Sequence, residues 1–493
     1  MNKKTAIVIG SGMAGLAAAI RLQNQNFNVL VLESNTTPGG KVTEFKKNGY
    51  RFDCGPSLFT MPQFIEELFE SSRKDISKYL NYVKKEKVCN YFYEDRTRFT
   101  AFADKNKFAQ EASSVFDVKA SQILKYFEKS KQKYDLTSSI FLSSSLHKFS
   151  TYFSKDTLKA IAKIGVLDID STLHKVNTSA YKDPRLVQFF DRFATYNGSS
   201  PYKTPGIMSM IPHLEQHYGT FFPQGGMYSI TKSLYQLALD LGAKFRFNTT
   251  VDQIVVENKK AKGVLIKDEY LQADIVVSNM DIVPTYQKML PDQKHPNEIL
   301  KQSRSSSALI FYWGIKRVFS ELELHNVFFA KEYKDEFDAI FNKKEVSKDP
   351  TVYINISSKN EPNDAPDGCE NWFVMINVPC NENQDWDTII EMSRQHILKK
   401  ISRILKVDIR PLIETEEILN PKSIESKTQS YKGSLYGSSS NNKYAAFLRH
   451  ANFSGKIKNL YFCGGSVHPG GGIPLCLLSG KIVSELVQKD FKK

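Results

Sequence analysis

The N-terminal part of the chain, up to Glu33, most strongly limits what this sequence can fold into. Thr5–Ile9 is a short run of apolar and β-branched residues, typical of a buried parallel strand. The motif Gly10-Ser-Gly-Met-Ala-Gly15 follows at once, and apolar residues then recur at helical spacing. A second apolar strand, Asn28–Leu32, ends directly before Glu33. The pattern predicts a βαβ unit at the start of an α/β domain.

Each part of the glycine motif has a physical task at a bound dinucleotide. Gly10 permits a tight turn, Gly12 lets the backbone approach a pyrophosphate, and Gly15 lets helix and strand pack closely. Met13 and Ala14 stand where the helix opens, and its unpaired N–H groups favour a phosphate there. A glycine-rich turn without a ligand is the alternative, but the flanking strands and the acid favour a dinucleotide site.

The residues after the second strand favour FAD over NAD. Glu33 is placed to accept hydrogen bonds from an adenosine ribose. Two glycine-bearing loops follow it, and they contain Gly39, Gly40 and Lys41, then Gly55, Pro56 and Ser57. Such loops indicate backbone pressed against a second extended part of the ligand. No second G-x-G-x-x-G is present, so no nicotinamide site is predicted.

The C-terminal region repeats the order of strand, glycine loop and helix. The strand is predicted at Asn459–Cys463 and the helix at Leu475–Val487. The loop residues predicted to contact the cofactor are Gly465, Ser466, Gly472, Ile473 and Pro474. A tight surface connection is the alternative, but five glycines at one strand-to-helix junction favour a nest of N–H groups for a ligand.

Composition excludes several other classes of protein. The net charge of +14 permits an anionic partner. The lysines are spread along the chain without a nucleic-acid-binding signature, so no nucleic acid is expected as a partner. Six cysteines without a C-x-x-C pair and nine histidines without H-E-x-x-H predict neither a disulfide framework nor a metal site. The apolar stretch Ala6–Ile20 resembles a signal peptide, but its strand–glycine–helix order predicts a cytoplasmic chain.

Taken together, these motifs resemble the FAD-dependent carotenoid desaturases of the phytoene desaturase type. Further matching segments are Arg192–Ser199, Ile211–Glu215, Phe222–Met227, Asp367–Cys369 and Gly433–Gly437. The C-terminal loop is most similar to the subgroup that acts on 1-hydroxycarotenoids at the 3,4 bond. The resemblance implies an α/β fold of the amine-oxidase and GDP-dissociation-inhibitor-like type. In that fold a Rossmann-like FAD-binding domain is interleaved with an α+β substrate domain.

The resemblance also implies a domain division and two further cofactor contacts. Residues 1–75, 222–290 and 455–493 would form the FAD-binding domain, and residues 76–221 and 291–454 the substrate domain. Val251 begins a predicted strand, Val251–Val256, and by the resemblance it would hold the adenine through its backbone. Lys41 stands where the family usually carries arginine, so its phosphate contact would be a looser point charge.

Desaturation of an unactivated CH–CH bond requires a two-electron acceptor, which a flavin provides and no side chain does. The second hydrogen leaves as a proton, for which Glu215 and His213 are candidate acceptors. The alternative, which the residue pattern favours, is that both anchor the loop that leads to Gly225.

Residues 111–165 are rich in helix formers, aromatic residues and lysine. They could lie on a membrane surface and admit a carotenoid, or they could form an ordinary core-facing helix pair. We therefore expect a cytoplasmic protein that is peripherally associated with the inner membrane. Its substrate would be a carotenoid and its terminal electron acceptor oxygen or a quinone.

Several other functions remain open at this point. A phytoene-type desaturase or a carotene isomerase would share most of the motifs. A lipid-binding escort without redox chemistry would share the fold, although it would have no reason to keep a flavin-facing glycine loop. An amine oxidase is the third class.

Overall fold

The computed structural model describes residues 3–141, 163–442 and 448–491. The strands are β1 Thr5–Ile9, β2 Asn28–Leu32, β3 Thr43–Lys47, β4 Tyr50–Cys54, β5 Phe59–Thr60, β6 Tyr82–Lys84, β7 Lys87–Phe92, β8 Arg98–Phe102, β9 Thr220–Pro223, β10 Lys244–Arg246, β11 Gln253–Glu257, β12 Lys260–Ile266, β13 Glu269–Gln272, β14 Ile275–Ser278, β15 Ser307–Ile315, β16 His325–Phe328, β17 Val352–Asn355, β18 Glu370–Val378, β19 Ile413–Leu419 and β20 Leu460–Phe462. The longer helices are α1 Met13–Asn24, α2 Gln63–Ser71, α3 Lys105–Val115, α4 Ala120–Phe141, α5 Leu173–Ala180, α6 Pro184–Asp191, α7 Tyr228–Asp240, α8 Trp386–Leu405, α9 Pro421–Thr428 and α10 Ile473–Phe491. Shorter helical segments lie at Ile211–His213, Leu214–Tyr218, Ile282–Pro284, Thr285–Met289, Asn297–Leu300, Tyr333–Asp338 and Ala339–Lys343.

A parallel sheet in the order β10-β2-β1-β14-β20 forms the first core. Ile7 of β1 pairs with Leu30 of β2 on one side and with Val276 of β14 on the other. Ala6 and Val8 face a layer built by α1, α7 and α10, while the alternate residues of β1 face the opposite layer. Burial on both faces explains why β1 is apolar from Ala6 to Ile9. The predicted βαβ unit and the Rossmann-like fold are thereby confirmed.

The antiparallel sheet β11-β12-β13 contributes to the second layer. The predicted strand Val251–Val256 begins only at Gln253, which pairs with Leu265 of β12. Since β12 ends at Ile266 and Lys267 has a left-handed backbone, no paired partner is left for Val251. Val251 therefore lies in the loop that precedes β11.

A second large sheet has the order β19-β15-β18-β17-β16-β7-β8. All neighbours in it are antiparallel except β16 and β7. Its central pair, β15 and β18, is in register from Ser307 opposite Val378 to Ile315 opposite Glu370. The sheet takes its strands from two separate stretches, 87–102 and 307–419. Both stretches lie in the predicted substrate domain, whose boundaries stay a prediction.

The described part of the helix-rich region packs on this second sheet. Ile123, Tyr126 and Phe127 of α4 are buried in an aromatic core together with residues of α3 and α6. These three residues therefore face the protein core, as in an ordinary core-facing helix pair, and not a membrane surface. Residues 142–162 of the predicted amphipathic stretch lie outside the described residues. Within the described ranges, no helix combines the length and the apolar character that crossing a bilayer requires.

We predict that Gly480→Ala destabilises the protein, because α10 touches α1 at this residue. A Cβ on Gly480 would lie 2.9 Å from the carbonyl oxygen of Ala14 and 2.9 Å from Cβ of Ala17. Pushing the two helices apart costs about 1–3 kcal/mol, more than the roughly 1 kcal/mol that alanine contributes to helix propensity. Gly455→Ala is the matched control, since a Cβ there meets nothing within 4 Å. Thermal melting of both variants checks this, and equal melting temperatures would contradict it.

Candidate active site

One cavity of about 1200 Å³ lies between the glycine loops of the parallel sheet and the face of the second sheet. It brings together the predicted site residues with the exception of Gly15 and His213. The predicted cofactor residues along its wall are Gly10, Gly12, Met13, Ala14, Glu33, Gly39, Gly40, Lys41, Gly55, Pro56, Ser57, Val251, Gly465, Ser466, Gly472, Ile473 and Pro474.

The first two glycine loops pack directly on each other. The N–H of Gly39 donates to the carbonyl oxygen of Ser11 at 3.0 Å. A Cβ on Gly40 would lie 3.3 Å from Cα of Gly12. Gly15 lies behind the cavity wall, where a Cβ would come within 2.1 Å of the carbonyl oxygen of Gly10. The spacing of the motif is therefore explained by backbone packing that no larger residue permits.

The N-termini of two helices meet at the cavity. α1 begins at Met13 and α10 at Ile473, and both residues line the wall. Gly472 has a φ of +105°, and a Cβ on it would meet no protein atom within 4 Å. Two positive helix ends and a glycine that faces open space suit a ligand with a pyrophosphate and an electron-rich ring system. These residues fit FAD.

Glu33 follows β2 and is buried at the edge of the cavity. Its Oε2 accepts hydrogen bonds from the N–H and the hydroxyl of Ser11, at 2.8 and 2.7 Å. Its Oε1 accepts from the backbone N–H and the side-chain amide of Asn35, both at 2.9 Å. Glu33 thus ties the first glycine loop to the loop after β2, and its contact with a ribose stays a prediction.

Lys41 lines the cavity, but its described hydrogen bonds go to the protein itself. Nζ donates to the carbonyl oxygens of Ser434 and Leu435, at 3.2 and 2.9 Å. Burial lowers the pKa of Lys41, and the nearby charge of Asp281 opposes that shift. The lysine therefore connects two distant chain segments, and the phosphate contact stays a prediction.

Sequence reasoning missed two residues that support these loops. Nδ2 of Asn279 lies 3.4 Å from the carbonyl oxygen of Gly10. Nη1 of Arg449 donates to the carbonyl oxygens of Tyr436 and Gly465, at 2.6 and 3.1 Å, and burial lowers its pKa to about 10. Asn279 follows β14 at the carboxyl edge of the parallel sheet, a position that could have revealed it. No sequence pattern of this kind marks Arg449.

The other side of the cavity is largely apolar and aromatic. Side chains on this wall include Met61, Tyr134, Met208, Met210, Ile211, Leu214, Val327, Tyr333, Phe373 and Met375. Flexible methionines and flat rings can follow the shape of a long apolar ligand. This wall suits a hydrocarbon chain better than a small polar substrate.

Glu215 is a buried carboxyl group on this apolar side. It lies in the π-helical turn Leu214–Tyr218, and its side chain is 2% exposed. The hydroxyl of Tyr196 donates to Oε1, and Nη2 of Arg192 lies 3.5 Å from the same oxygen. Burial raises the pKa of Glu215, and the charge of Arg192 opposes that shift. Oε2 has no hydrogen-bond partner among the described residues.

His213 does not line the cavity. Its ring stacks on His217 with 4.7 Å between ring centres, and the centre of the Tyr134 ring lies at 5.2 Å. Burial, with His217 as a smaller contribution, lowers its pKa to about 4. This position favours the alternative that His213 anchors the loop leading to Gly225 over a role in catalysis.

A chain of hydrogen bonds links a predicted cofactor loop to the second sheet. The hydroxyls of Ser57 and Tyr353 are 2.8 Å apart, and the Tyr353 hydroxyl lies 2.7 Å from Nδ1 of His325. Burial lowers the pKa of His325 to about 3. Because all three residues line the cavity, the chain joins the two sides of the site.

The sequence profile of the flavin-containing amine oxidoreductases matches residues 13–488. This chain belongs to the flavin-containing amine oxidoreductase family. The predicted flavin cofactor, FAD, is thereby confirmed.

Among its relatives in this family are several proteins of carotenoid metabolism. The chain is 54% identical to the 1-hydroxycarotenoid 3,4-desaturase of Flavobacterium sp. strain P99-3, over 98% of this chain and 99% of that protein. It is 32% identical to the 4,4'-diapolycopene oxygenase of Methylomonas sp., over 100% and 99%. It is 30% identical to the phytoene desaturase of Fusarium fujikuroi, over 99% and 90%. The resemblance to the carotenoid desaturases is confirmed.

A solved structure with low sequence identity shows the same fold. Cyclohexylamine oxidase from Brevibacterium oxydans IH-35A is 14% identical and superposes with a TM-score of 0.63, over 100% of both chains. This likeness supports the predicted amine-oxidase-like fold and carries no information on the substrate.

We predict that Gly15→Ala weakens the binding of FAD and lowers the flavin content of the purified protein. The added Cβ would overlap the carbonyl oxygen of Gly10, so the N-terminus of α1 has to move away from the cavity. A displacement that weakens binding by about 1.4 kcal/mol lowers the affinity for FAD tenfold. Flavin absorbance per mole of purified protein, followed by titration with FAD, measures the loss. Gly455→Ala is the control, and a Gly15→Ala protein with the full flavin content would contradict the prediction.

His213 predicts a pH dependence of stability. Its pKa of about 4 in the folded protein lies below the ordinary value of 6.5, so between these values the unfolded chain binds more protons. Stability from this residue is therefore complete above pH 6.5 and is lost as the pH falls towards about 4. His213→Phe keeps the ring and cannot be protonated, so its melting temperature should depend less on pH in this window. If the melting temperatures of the wild type and of His213→Phe change equally with pH, His213 is not the source of the pH dependence.

Proposed function

We propose that this protein is an FAD-dependent carotenoid desaturase that introduces the 3,4 double bond into a 1-hydroxycarotenoid. The observation that carries the proposal is the 54% identity, over nearly the full length of both chains, to a 1-hydroxycarotenoid 3,4-desaturase. The cavity supports it, because one continuous space joins a dinucleotide cradle to an apolar wall.

The cradle would hold FAD through the glycine loops at Gly10–Gly15 and Gly39–Lys41 and through the N-terminus of α10. When bound there, FAD supplies the acceptor for the hydride, and the second hydrogen of the CH–CH bond leaves as a proton. An escort without redox chemistry has no use for a cradle with two helix N-termini and tightly packed glycine loops.

The apolar wall would position the polyene and exclude water from the reacting bond. Met208, Met210 and Phe373 present polarisable or flat surfaces to the cavity. The charge left by hydride loss is delocalised along a polyene, so the protein mainly has to align the chain and keep it dry. Of the two residues predicted to take the proton, only Glu215 reaches the cavity. Its Oε1 accepts a hydrogen bond from Tyr196 and lies 3.5 Å from Nη2 of Arg192, which disfavours a role as a free general base.

The substrate also implies a place of action. A carotenoid dissolves in a bilayer and not in water, so the protein has to collect it from a membrane surface. The net charge of +14 suits an anionic surface. A peripheral association with the inner membrane, and oxygen or a quinone as the terminal electron acceptor, belong to the same proposal.

The decisive experiment is a visible spectrum of the flavin-loaded protein, mixed without oxygen with a solubilised 1-hydroxycarotenoid. We expect the flavin absorbance to bleach while the polyene band shifts to longer wavelength, in proportion to the flavin present. Phytoene is the control substrate and should leave the flavin oxidised. Bleaching by phytoene alone would replace the proposal with a phytoene-type desaturase. A spectrum unchanged by either carotenoid would refute carotenoid desaturation.

A further inference from the structure

A buried arginine stands in the aromatic wall of the cavity. The guanidinium carbon of Arg192 lies 4.8 Å from the ring centre of Phe193, 5.3 Å from that of Tyr91 and 5.5 Å from that of Tyr196. Its Nε and Nη2 are buried and have no hydrogen-bond partner among the described residues. Aromatic rings offset part of the cost of burying a cation, but they do not replace its hydrogen bonds.

Glu215 balances the charge of Arg192 without satisfying its donors. The shortest distance between the two groups is 3.5 Å, from Nη2 to Oε1, which is longer than a good hydrogen bond. Oε1 is already occupied by the hydroxyl of Tyr196, and Oε2 has no hydrogen-bond partner in the part of the chain that the structure describes. The pair therefore keeps spare donors on one residue and a spare acceptor on the other. Both residues line the cavity.

We propose that Arg192 and Glu215 form the pocket that binds the hydroxyl group of the substrate. The guanidinium donates to the hydroxyl oxygen, and Oε2 of Glu215 accepts the hydroxyl hydrogen. A hydroxyl is one donor and two acceptors, so a single group can satisfy both residues at once. A hydrocarbon end can satisfy neither. The inference rests on the proposed function and names the residues that make it specific.

The position of the pair agrees with the chemistry of the substrate. In a 1-hydroxycarotenoid only one carbon separates the hydroxyl-bearing carbon from the 3,4 bond. The hydroxyl pocket therefore has to lie near the predicted cofactor loops. Arg192 and Glu215 meet this condition, since they line the same cavity as Pro56 and Ser57 of one such loop.

This arrangement predicts discrimination against substrates without the hydroxyl. A site built to hydrogen-bond a hydroxyl leaves its own buried groups unpaired when the hydroxyl is missing. We expect the wild-type protein to bind the 1-hydroxycarotenoid about ten- to hundredfold more tightly than the same carotenoid without the hydroxyl.

The test compares dissociation constants in the flavin-loaded protein with its flavin chemically reduced, because no hydride can then be transferred and binding alone is measured. The probes are a 1-hydroxycarotenoid and the hydrocarbon of the same chain length, followed by the shift of the polyene band. The variant is the double substitution Arg192→Met and Glu215→Leu, since removing both charges leaves no unpaired buried ion. Arg317→Met is the matched control, because Arg317 lies 4.9 Å from the Phe319 ring centre but is exposed and outside the cavity.

We expect the double variant to bind both carotenoids within about threefold of each other, through weaker binding of the hydroxylated one. The control should keep the wild-type ratio. An unchanged ratio in the double variant overturns the hydroxyl pocket. An equal loss for both carotenoids also overturns it, because the pair would then be structural. A wild-type protein that binds or converts only the hydrocarbon overturns the proposed function itself.

A second variant keeps the test valid if the double variant does not fold. Arg192→Lys retains a cation among the aromatic rings, but a point charge lacks the fork that can serve Glu215 and a hydroxyl together. Its preference for the hydroxylated carotenoid should fall several-fold while its flavin content stays at the wild-type level. A wild-type preference in this variant would refute recognition by the guanidinium.

Discussion

The contact of Gly15 with Gly10 is the constraint on which the rest of the structure depends. A Cβ at Gly15 would lie 2.1 Å from the carbonyl oxygen of residue 10, and residue 10 itself has a φ of +89°, so α1 can begin directly behind β1 only because both positions are glycine. This close approach places the N-terminus of α1 at the edge of the parallel sheet. The loop that contains Gly39 can then hydrogen-bond to Ser11, and one side of the cavity is complete. The backbone of the glycine loops and of the N-terminus of α1 therefore gives this wall a shape that fits a dinucleotide, and no catalytic side chain is needed for it.

The opposite side of the cavity is built on a different principle. It is an apolar surface, and a few buried polar groups interrupt it. The Arg192–Glu215 pair and the chain Ser57–Tyr353–His325 are costly in such surroundings unless they have partners or a function. Aromatic rings pack around Arg192, and the chain Ser57–Tyr353–His325 includes a residue of the predicted cofactor loop. Polar groups that keep spare hydrogen-bonding capacity on an apolar wall are the feature on which the proposed discrimination between substrates rests.

Local sequence patterns predict the first strands and the glycine-loop wall of the cavity. They do not predict where a strand loses its pairing partner or which side chains pack together. The boundaries of β1 and β2 coincide with the predicted ones. Val251 was placed in a strand, but the left-handed Lys267 ends the partner strand too early to pair with it. His213, for which the residue pattern favours a structural role over catalysis, packs behind the wall against Tyr134 and His217. Tyr134 is far from His213 in the sequence, and periodicity and spacing cannot reveal such a neighbour.

The sequence by itself determined the dinucleotide fold, the flavin and the family, because these depend on glycine spacing, strand periodicity and helix N-termini, all of which are local properties. Only the tertiary structure decided which polar side chains share the cavity. Arg192 and Glu215 lie in different turns, and Tyr353 comes from a strand that is distant in sequence from Ser57. Their meeting depends on how the second sheet and its helices pack over the glycine loops. Burial then removes water from Arg192 and Glu215, and the hydroxyl pocket that we propose depends on the unpaired hydrogen-bonding atoms that this leaves.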